Sequence, residues 1–386
     1  MIIGLLGAPN KGKSTLFNAL TGSSALIANY PFTTIDPNKA VAYVTSPCVD
    51  KELNVKCTPR NSKCEFGIRK IPVNIIDVAG LVEDASEGKG MGNEFLGDVS
   101  VADALIIVAD ASGKTNSDGN PADSDYDVCQ DVLMVKSELT KWLKKSLIKN
   151  LKKNRGKPLS EFVLGLKSLG YSEKKIEEGI SYCKLSNKTL EWTEDDLNKL
   201  GDWLSEFGKP IVIAANKMDL ESSKTGYKIL NEKFAGAVYP ICADMQLAIN
   251  KGIEKGFIKN TENGLQFETN NLNGPIKAAL EKIETYLKEH KTTGVQEILN
   301  GIVFNSLRKI VVYPVEDETH FSDHFSHILP DAILLDENST PLNLSGAIHT
   351  DLEKGFLYAI DAKTKKKLGK NEQLQTGSVI KIVSTR

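Results

Sequence analysis

A doubly wound, mostly parallel α/β sheet of the phosphate-loop type is predicted for residues 1–124 and 206–275, and three observations predict it. An apolar run at 1–6 leads through Gly7-Ala8-Pro9-Asn10-Lys11-Gly12-Lys13-Ser14, a Gly-x4-Gly-Lys-Ser pattern, into a helix over 15–20. Further apolar runs at 71–76, 104–109, 210–215 and 237–241 have the continuous hydrophobicity of strands buried on both faces. Polar motifs follow the runs at 71–76 and 210–215 directly, so they fall at strand C-termini, where open α/β sheets bind ligands.

The first element is a polyanion cradle. Its glycines let successive backbone N–H groups wrap inward, and the helix N-terminus adds partial positive charge. Lys13 would reach the β and γ phosphates, and the Ser14 hydroxyl would ligate Mg²⁺. The candidate nucleotide-binding residues here are Gly7, Asn10, Lys11, Gly12, Lys13, Ser14 and Thr15. A glycine-rich strand-to-helix turn is the plain alternative.

The second element, Asp77-Val78-Ala79-Gly80, reads as the Asp-x-x-Gly of a nucleotide switch. Asp77 would hold Mg²⁺ through a water, and the Gly80 N–H would bond the γ-phosphate. The same tetrapeptide is also an everyday turn. Between these elements, Thr34 is the candidate second hydroxyl ligand of Mg²⁺, with Thr33 as runner-up.

The third element decides the base. In Asn216-Lys217-Met218-Asp219 a carboxylate would accept bonds from N1–H and the exocyclic amine of guanine, which adenine does not offer in that arrangement. The Lys217 stem would lie along the ring plane. A fainter fourth element is Cys242-Ala243, where the Ala243 N–H would face the guanine O6. Alone, the third element would read as a polar strand end with a satisfied Asn, and the fourth carries no meaning by itself.

The rest of the chain divides by pattern. A polar stretch at 113–125 reads as a linker. After it, a helical period over 128–151 and expected caps at Ser160, Ser172 and Thr193 describe a helical insertion over 125–205. From Lys136 to Lys157 it carries nine Lys or Arg against one acid, Glu138, a stripe able to neutralise RNA phosphates or simply to face solvent. Two linking helices are expected within 276–302. Residues 303–386 mix strand-like runs at 309–315, 356–360 and 378–383 with a helix near 344–352, an α+β pattern.

Composition sets bounds. The 386 residues, 41% hydrophobic, are enough for more than one domain, and a net charge of −2 exerts no global pull toward nucleic acid. The absence of an eighteen-residue apolar run argues against a membrane span, and the opening strand lacks a basic leader. Six cysteines without a compact framework point to a reducing, cytoplasmic setting. Cys48, Cys57 and Cys64 cluster, but with no His or fourth Cys nearby they are expected to be free thiols rather than a metal site. His320, His324 and His327 are likewise expected to be ordinary histidines.

Specific stretches resemble a known family. The loop from Gly7 to Leu16, Asn29-Tyr-Pro-Phe-Thr-Thr-Ile-Asp-Pro-Asn38, and Asp77-Val-Ala-Gly-Leu-Val through Glu87-Gly-Lys-Gly-Met-Gly-Asn-Glu-Phe-Leu96 resemble the Obg superfamily, closest to its YchF-type branch. The stretch from Val312 to Phe325, with Ile348-His-Thr-Asp-Leu352, is similar to the TGS domain of that branch, which implies a β-grasp fold for 303–386 and a coiled-coil-like insertion upstream. Many members of the branch end the base motif in Glu and are associated with ATP; Asp219 points back to GTP. Leu81 stands where the best-known small GTPases have a water-orienting Gln. The resemblance implies that K⁺, held in part by Asn10, takes over that role, which makes Lys13, Thr34, Gly80 and Asn10 the candidate catalytic set. It also raises RNA or the ribosome as partners of the basic helix and the TGS domain. The expected function is GTP hydrolysis by a Mg²⁺-dependent switch; the alternatives are an ATPase of the YchF kind and a binding protein that does not hydrolyse nucleotide.

Overall fold

The structure, a computed structural model, describes residues 1–22, 38–78, 92–122, 126–268 and 274–385, with backbone only for 92–96. Thr33, Thr34, Gly80 and Leu81 lie outside the described residues.

The first sheet has the order β2 (Lys39–Pro47), β4 (Ile68–Asp77), β1 (Ile2–Leu6), β5 (Ala104–Asp110), β6 (Ile211–Asn216), β7 (Val238–Pro240), with the short β3 (Cys64–Glu65) also on β4. β1, β4, β5, β6 and β7 run parallel, while β2 and β3 are antiparallel to β4. β5 is buried along its whole length, because helices cover both faces of a parallel sheet. Strand alternation divides the core in two. Leu6, Leu105 and Ile107 face one side; Ile3, Leu5, Ile106 and Val108 face the other.

The helical insertion builds the first side. α3 (Cys129–Asn154), α4 (Leu159–Lys167), α5 (Glu173–Tyr182) and α6 (Glu194–Phe207) follow β5 and precede β6. Trp142, Leu143 and Leu147 of α3 pack with Phe162, Ile176 and Leu200 in a core continuous with the sheet. Ser172 caps α5 by accepting the Lys175 N–H, and Thr193 forms a reciprocal capping box with Asp196 on α6. Ser160 is not a cap. It lies inside α4, which starts straight after Pro158, whose fixed φ of −52° sets the helix entry earlier.

The opposite side is covered by α1 (Lys13–Thr21), α10 (Val295–Asn300), the π-helical turn Gly301–Ser306 and the C-terminal domain. α9 (Gly274–His290) instead packs on α8 (Ala243–Glu254) and the hairpin of β8 (Ile258–Thr261) and β9 (Gly264–Phe267), a small core around Met245, Ile249 and Ile283. The C-terminal sheet has the order β11 (Ile333–Asp336), β10 (Lys309–Val315), β14 (Ser378–Ser384), β12 (Phe356–Asp361), β13 (Lys367–Leu368), with only β10 and β14 parallel. One face packs Val312, Ala359 and Ile380 with Leu344 of α11 (Pro341–Ile348). The other, with Val311, Tyr313 and Val379, joins the core of the first sheet. The helix expected near 344–352 is two helices, α11 and α12 (Thr350–Lys354), because His349 is extended and its ring accepts the Asp351 N–H. Among the described residues no helix is long and apolar enough to cross a membrane.

Candidate nucleotide-binding site

α1 begins at Lys13 with no side-chain cap, so the phosphate loop brings uncapped helix N–H groups to its mouth. Lys13 Nζ donates to Asp77 Oδ1 and, at 2.7 Å, to the Val78 carbonyl. Ser14 Oγ donates to Asp77 Oδ2 at 3.3 Å. The lysine, hydroxyl and carboxylate expected from separate motifs therefore meet at the adjacent ends of β1 and β4, which pair in parallel through Leu5 and Asp77. Thr15 lies half-buried in the first turn of α1.

Two glycines are required by close approach. A Cβ on Gly7 would come within 2.8 Å of the Val108 carbonyl on β5. Gly12, at φ +93°, would place one 2.2 Å from Asn216 Nδ2. That second contact shows how the base motif and phosphate loop are joined. Asn216, almost fully buried, donates from Nδ2 to the Lys11 carbonyl at 2.9 Å and accepts the Ala243 N–H on Oδ1 at 3.1 Å. The Ala243 N–H is thus engaged by Asn216, and the guanine O6 contact expected of it is not what the structure places there.

Lys11 is a second departure. Its ammonium is fully buried, 2.8 Å from Asp131 on α3, with the Thr115 carbonyl at 2.7 Å and its hydroxyl at 3.2 Å. The contact with Asp131 Oδ2 is an ion pair rather than an aligned hydrogen bond. Burial lowers the Lys11 ammonium and raises the Asp131 carboxyl from their usual ranges. The side chain is thus committed to Asp131 of α3 and to Thr115 rather than to the mouth of α1.

The stretch 113–125, expected to be a linker, is in its described part a buttress of the loop. Asn10 Nδ2 donates to the Gly119 carbonyl at 2.9 Å, and Thr115 forms an isolated bridge with Pro121. Asp110, at the end of β5, accepts from Lys217 Nζ at 2.8 Å, from Ser112 Oγ and from Thr115 Oγ1. Burial works to raise its carboxyl, but these donors outweigh burial and hold it below the usual range. Lys217, at φ +68°, also reaches the Asn10 carbonyl at 3.3 Å.

Asp219 sits above this frame. The Cys242 thiol, pushed up to about 12 by burial and so kept protonated, lies 3.3 Å from Asp219 Oδ1. Lys282 of α9 lies 3.5 Å from Oδ2. A cavity of about 320 Å³ opens beside Asp219, lined by residues that include Met218, Met245, Tyr286 and His290. Asp110, Thr115, Asp131 and Lys282 are site residues that sequence reasoning missed. Asp110 alone carried a signal, as the polar end of an apolar strand.

Elsewhere, each histidine of the C-terminal cluster has its own carboxylate: His320 with Asp317, His324 with Glu316 and His327 with Asp323. They do not converge on one point. The basic stripe is partly neutralised, by Lys136–Glu206, Lys141–Glu138 and Lys144–Asp202 pairs. Lys149, Lys152, Lys153 and Arg155 remain exposed, without an acidic partner among the described residues. Cys48, Cys57 and Cys64 do have a fourth donor nearby, the carboxylate of Asp50.

An uncharacterized GTP-binding protein of Methanocaldococcus jannaschii is 46% identical over 391 residues, covering 99% of both chains. The chain belongs to the YchF-type branch of the Obg-like GTPases. Family models match in three places: a 50S ribosome-binding GTPase at 2–153, an Obg-like GTPase YGR210-like, G4 motif-containing domain at 214–317, and a TGS domain at 326–384. The solved structure of a GTP binding protein from Pyrococcus horikoshii superposes with a TM-score of 0.79 at 32% identity, over all of both chains. The ribosome-binding ATPase YchF of Buchnera aphidicola is 27% identical, over 92% of this chain and 86% of its own. The phosphate-loop α/β fold with a C-terminal TGS domain is thus that of the YchF-type branch, and Asp219 lies within the part matched by the G4 model.

Proposed function

We propose that this YchF-type protein binds GTP with Mg²⁺ and hydrolyses it to GDP and phosphate, acting as a switch. The observation that carries the reading is the meeting of Lys13, Ser14 and Asp77 at the mouth of α1, tied by the Asn216 amide to the base motif. Ser14 Oγ and an Asp77 carboxylate oxygen are hard donors of the kind Mg²⁺ takes, directly or through water. When bound, the ion would neutralise charge on the β and γ phosphates. Lys13 would exchange Asp77 for phosphate oxygens, which releases Asp77 toward the metal. Lys217, anchored by Asp110, would present its stem to one face of the base, and Asp219 would read the guanine edge. Since Asn10 Nδ2 is committed to Gly119, Oδ1 is its remaining side-chain atom for K⁺.

The names of relatives divide between GTP-binding protein and ATPase. Asp219 favours GTP. Ribosome or RNA contact through the exposed end of α3 and the TGS domain is supported by the positive charge left on α3 and by the name of the ribosome-binding Buchnera relative. Competition binding and single-turnover hydrolysis, GTP against ATP and K⁺ against Na⁺, test the reading. Tighter binding of GTP that is lost in Asp219→Ala, with faster turnover in K⁺, is expected. Preference for ATP would overturn the base assignment; full affinity in Lys13→Met would overturn the site.

A further inference from the structure

Residues 48–63, between β2 and β3, contain no helix or strand, yet their backbone is tied to the C-terminal domain. Thr58 N–H donates to the Ile328 carbonyl at 2.8 Å, Arg60 N–H to the Pro330 carbonyl at 3.0 Å, and Ile328 N–H to Thr58 Oγ1 at 2.8 Å. Arg60 pairs with Asp331 and Lys363 with Glu52. An ordered loop this long needs an internal tether, because it has few apolar side chains of its own to bury. Three of its side chains converge with Cys64 at the start of β3, and none of the four takes part in the nucleotide site.

We propose that Cys48, Asp50, Cys57 and Cys64 form a structural zinc site that fixes this loop as the docking surface for the TGS domain. The ligand atoms all lie within 4.8 Å of one another. A tetrahedral zinc with usual bond lengths puts two sulfurs about 3.8 Å apart and sulfur and oxygen about 3.5 Å apart. Cys48 Sγ and Cys57 Sγ are 3.9 Å apart, and Asp50 Oδ2 lies 3.3 Å from Cys57 Sγ and 3.7 Å from Cys64 Sγ. These are the spacings of a closed four-ligand site; a disulfide would need its sulfurs at about 2.05 Å. Three sulfurs exclude Mg²⁺ and Ca²⁺ and suit a borderline-soft ion.

A second observation points the same way. Arg69 is fully buried next to this cluster, donates from Nη2 to the Leu329 carbonyl at 2.7 Å, and has no partner for Nε or Nη1 among the described residues. Its guanidinium also lies 5.7 Å from the Tyr313 ring. A buried guanidinium needs an anion. Three thiolates and a carboxylate around a divalent ion keep net negative charge, which meets that need. Zinc binding would displace the thiol protons.

The full-length protein, purified under reducing conditions, should carry one zinc per chain by elemental analysis. Exchange for Co²⁺ should give thiolate-to-cobalt charge transfer and the intense d–d bands of a tetrahedral site. Asp50→Ala and Cys64→Ser should each weaken zinc affinity at least about tenfold, while Asp50→Cys retains it. Chelation should open 48–63 to protease without loss of nucleotide binding. Absence of both bound zinc and the cobalt spectrum, iron in place of zinc, a Cys48–Cys57 disulfide in the reduced preparation, or unchanged zinc in both Asp50→Ala and Cys64→Ser would overturn the proposal. Should Cys64→Ser fail to fold, the wild-type cobalt spectrum and Asp50→Ala decide it.

Discussion

Asp131→Leu removes the carboxylate that faces the buried ammonium of Lys11 and leaves that ammonium with the Thr115 carbonyl, the Thr115 hydroxyl and the Tyr126 ring, 5.3 Å away. Breaking one side of a buried ion pair costs about 3–5 kcal/mol, since the surviving charge stays desolvated. Two oxygens still serve Lys11, and burial already lowers its ammonium, so neutralisation limits the loss; about 3 kcal/mol is expected. Lys11→Met with Asp131→Leu replaces both charges with apolar groups and should recover at least about 1 kcal/mol over the single leucine variant. Urea unfolding measures the stability, and GTP affinity measures the loop, because the Lys11 carbonyl is also held by Asn216. A loss below about 0.5 kcal/mol in Asp131→Leu, or single effects that simply add in the double variant, would refute the claim that this pair ties the phosphate loop to the insertion.

Three other outcomes are expected. Burial draws the Lys209 ammonium down to about 8, while its Nζ donates to the carbonyls of Val99 at 2.8 Å and Ser100 at 3.2 Å on α2 (Gly92–Val101). The folded state releases that proton before the unfolded chain does, so stability should rise by about 3 kcal/mol between pH 8 and 10.5 and be flat in this term below 8; urea melts of Lys209→Met should lose the rise. Thr193→Ala breaks the capping box of α6 and should lower stability by about 1 kcal/mol in the same assay. Serine at Lys149, Lys152, Lys153 and Arg155 together should reduce the slope of log affinity for RNA against log salt by about 3, with GTP binding unchanged; an unchanged slope places any RNA contact elsewhere.

The legible part of this protein was local in the chain. A strand passes straight into a glycine-bearing turn and a helix, so the spacing of Gly7, Gly12 and Lys13 carries its geometry with it. Asp77 and Asn216 were readable because apolar runs end at them, and the caps at Ser172 and Thr193 are decided within a few residues. The insertion and the C-terminal α+β pattern also show in periodicity, although β-grasp came only from resemblance.

Tertiary structure decided which neighbour each polar group finds. The sequence alone determined a glycine-bearing phosphate-loop turn, an Asn-Lys-x-Asp motif at a strand end and their chain order; it did not determine that Lys11 turns away to Asp131, 120 positions on, or that Asn216 spends its amide on Lys11 and Ala243. The same holds for 113–125, polar enough to read as a linker yet folded against Asn10, and for Cys48, Cys57 and Cys64, whose fourth partner is an aspartate that no cysteine-spacing rule would choose. The physical reason is that a hydrogen bond or ion pair extends about 3 Å in space; parallel pairing of β4, β1, β5 and β6 brings the distant motif residues within that reach, and the loop between β2 and β3, both antiparallel to β4, does so for the cysteines.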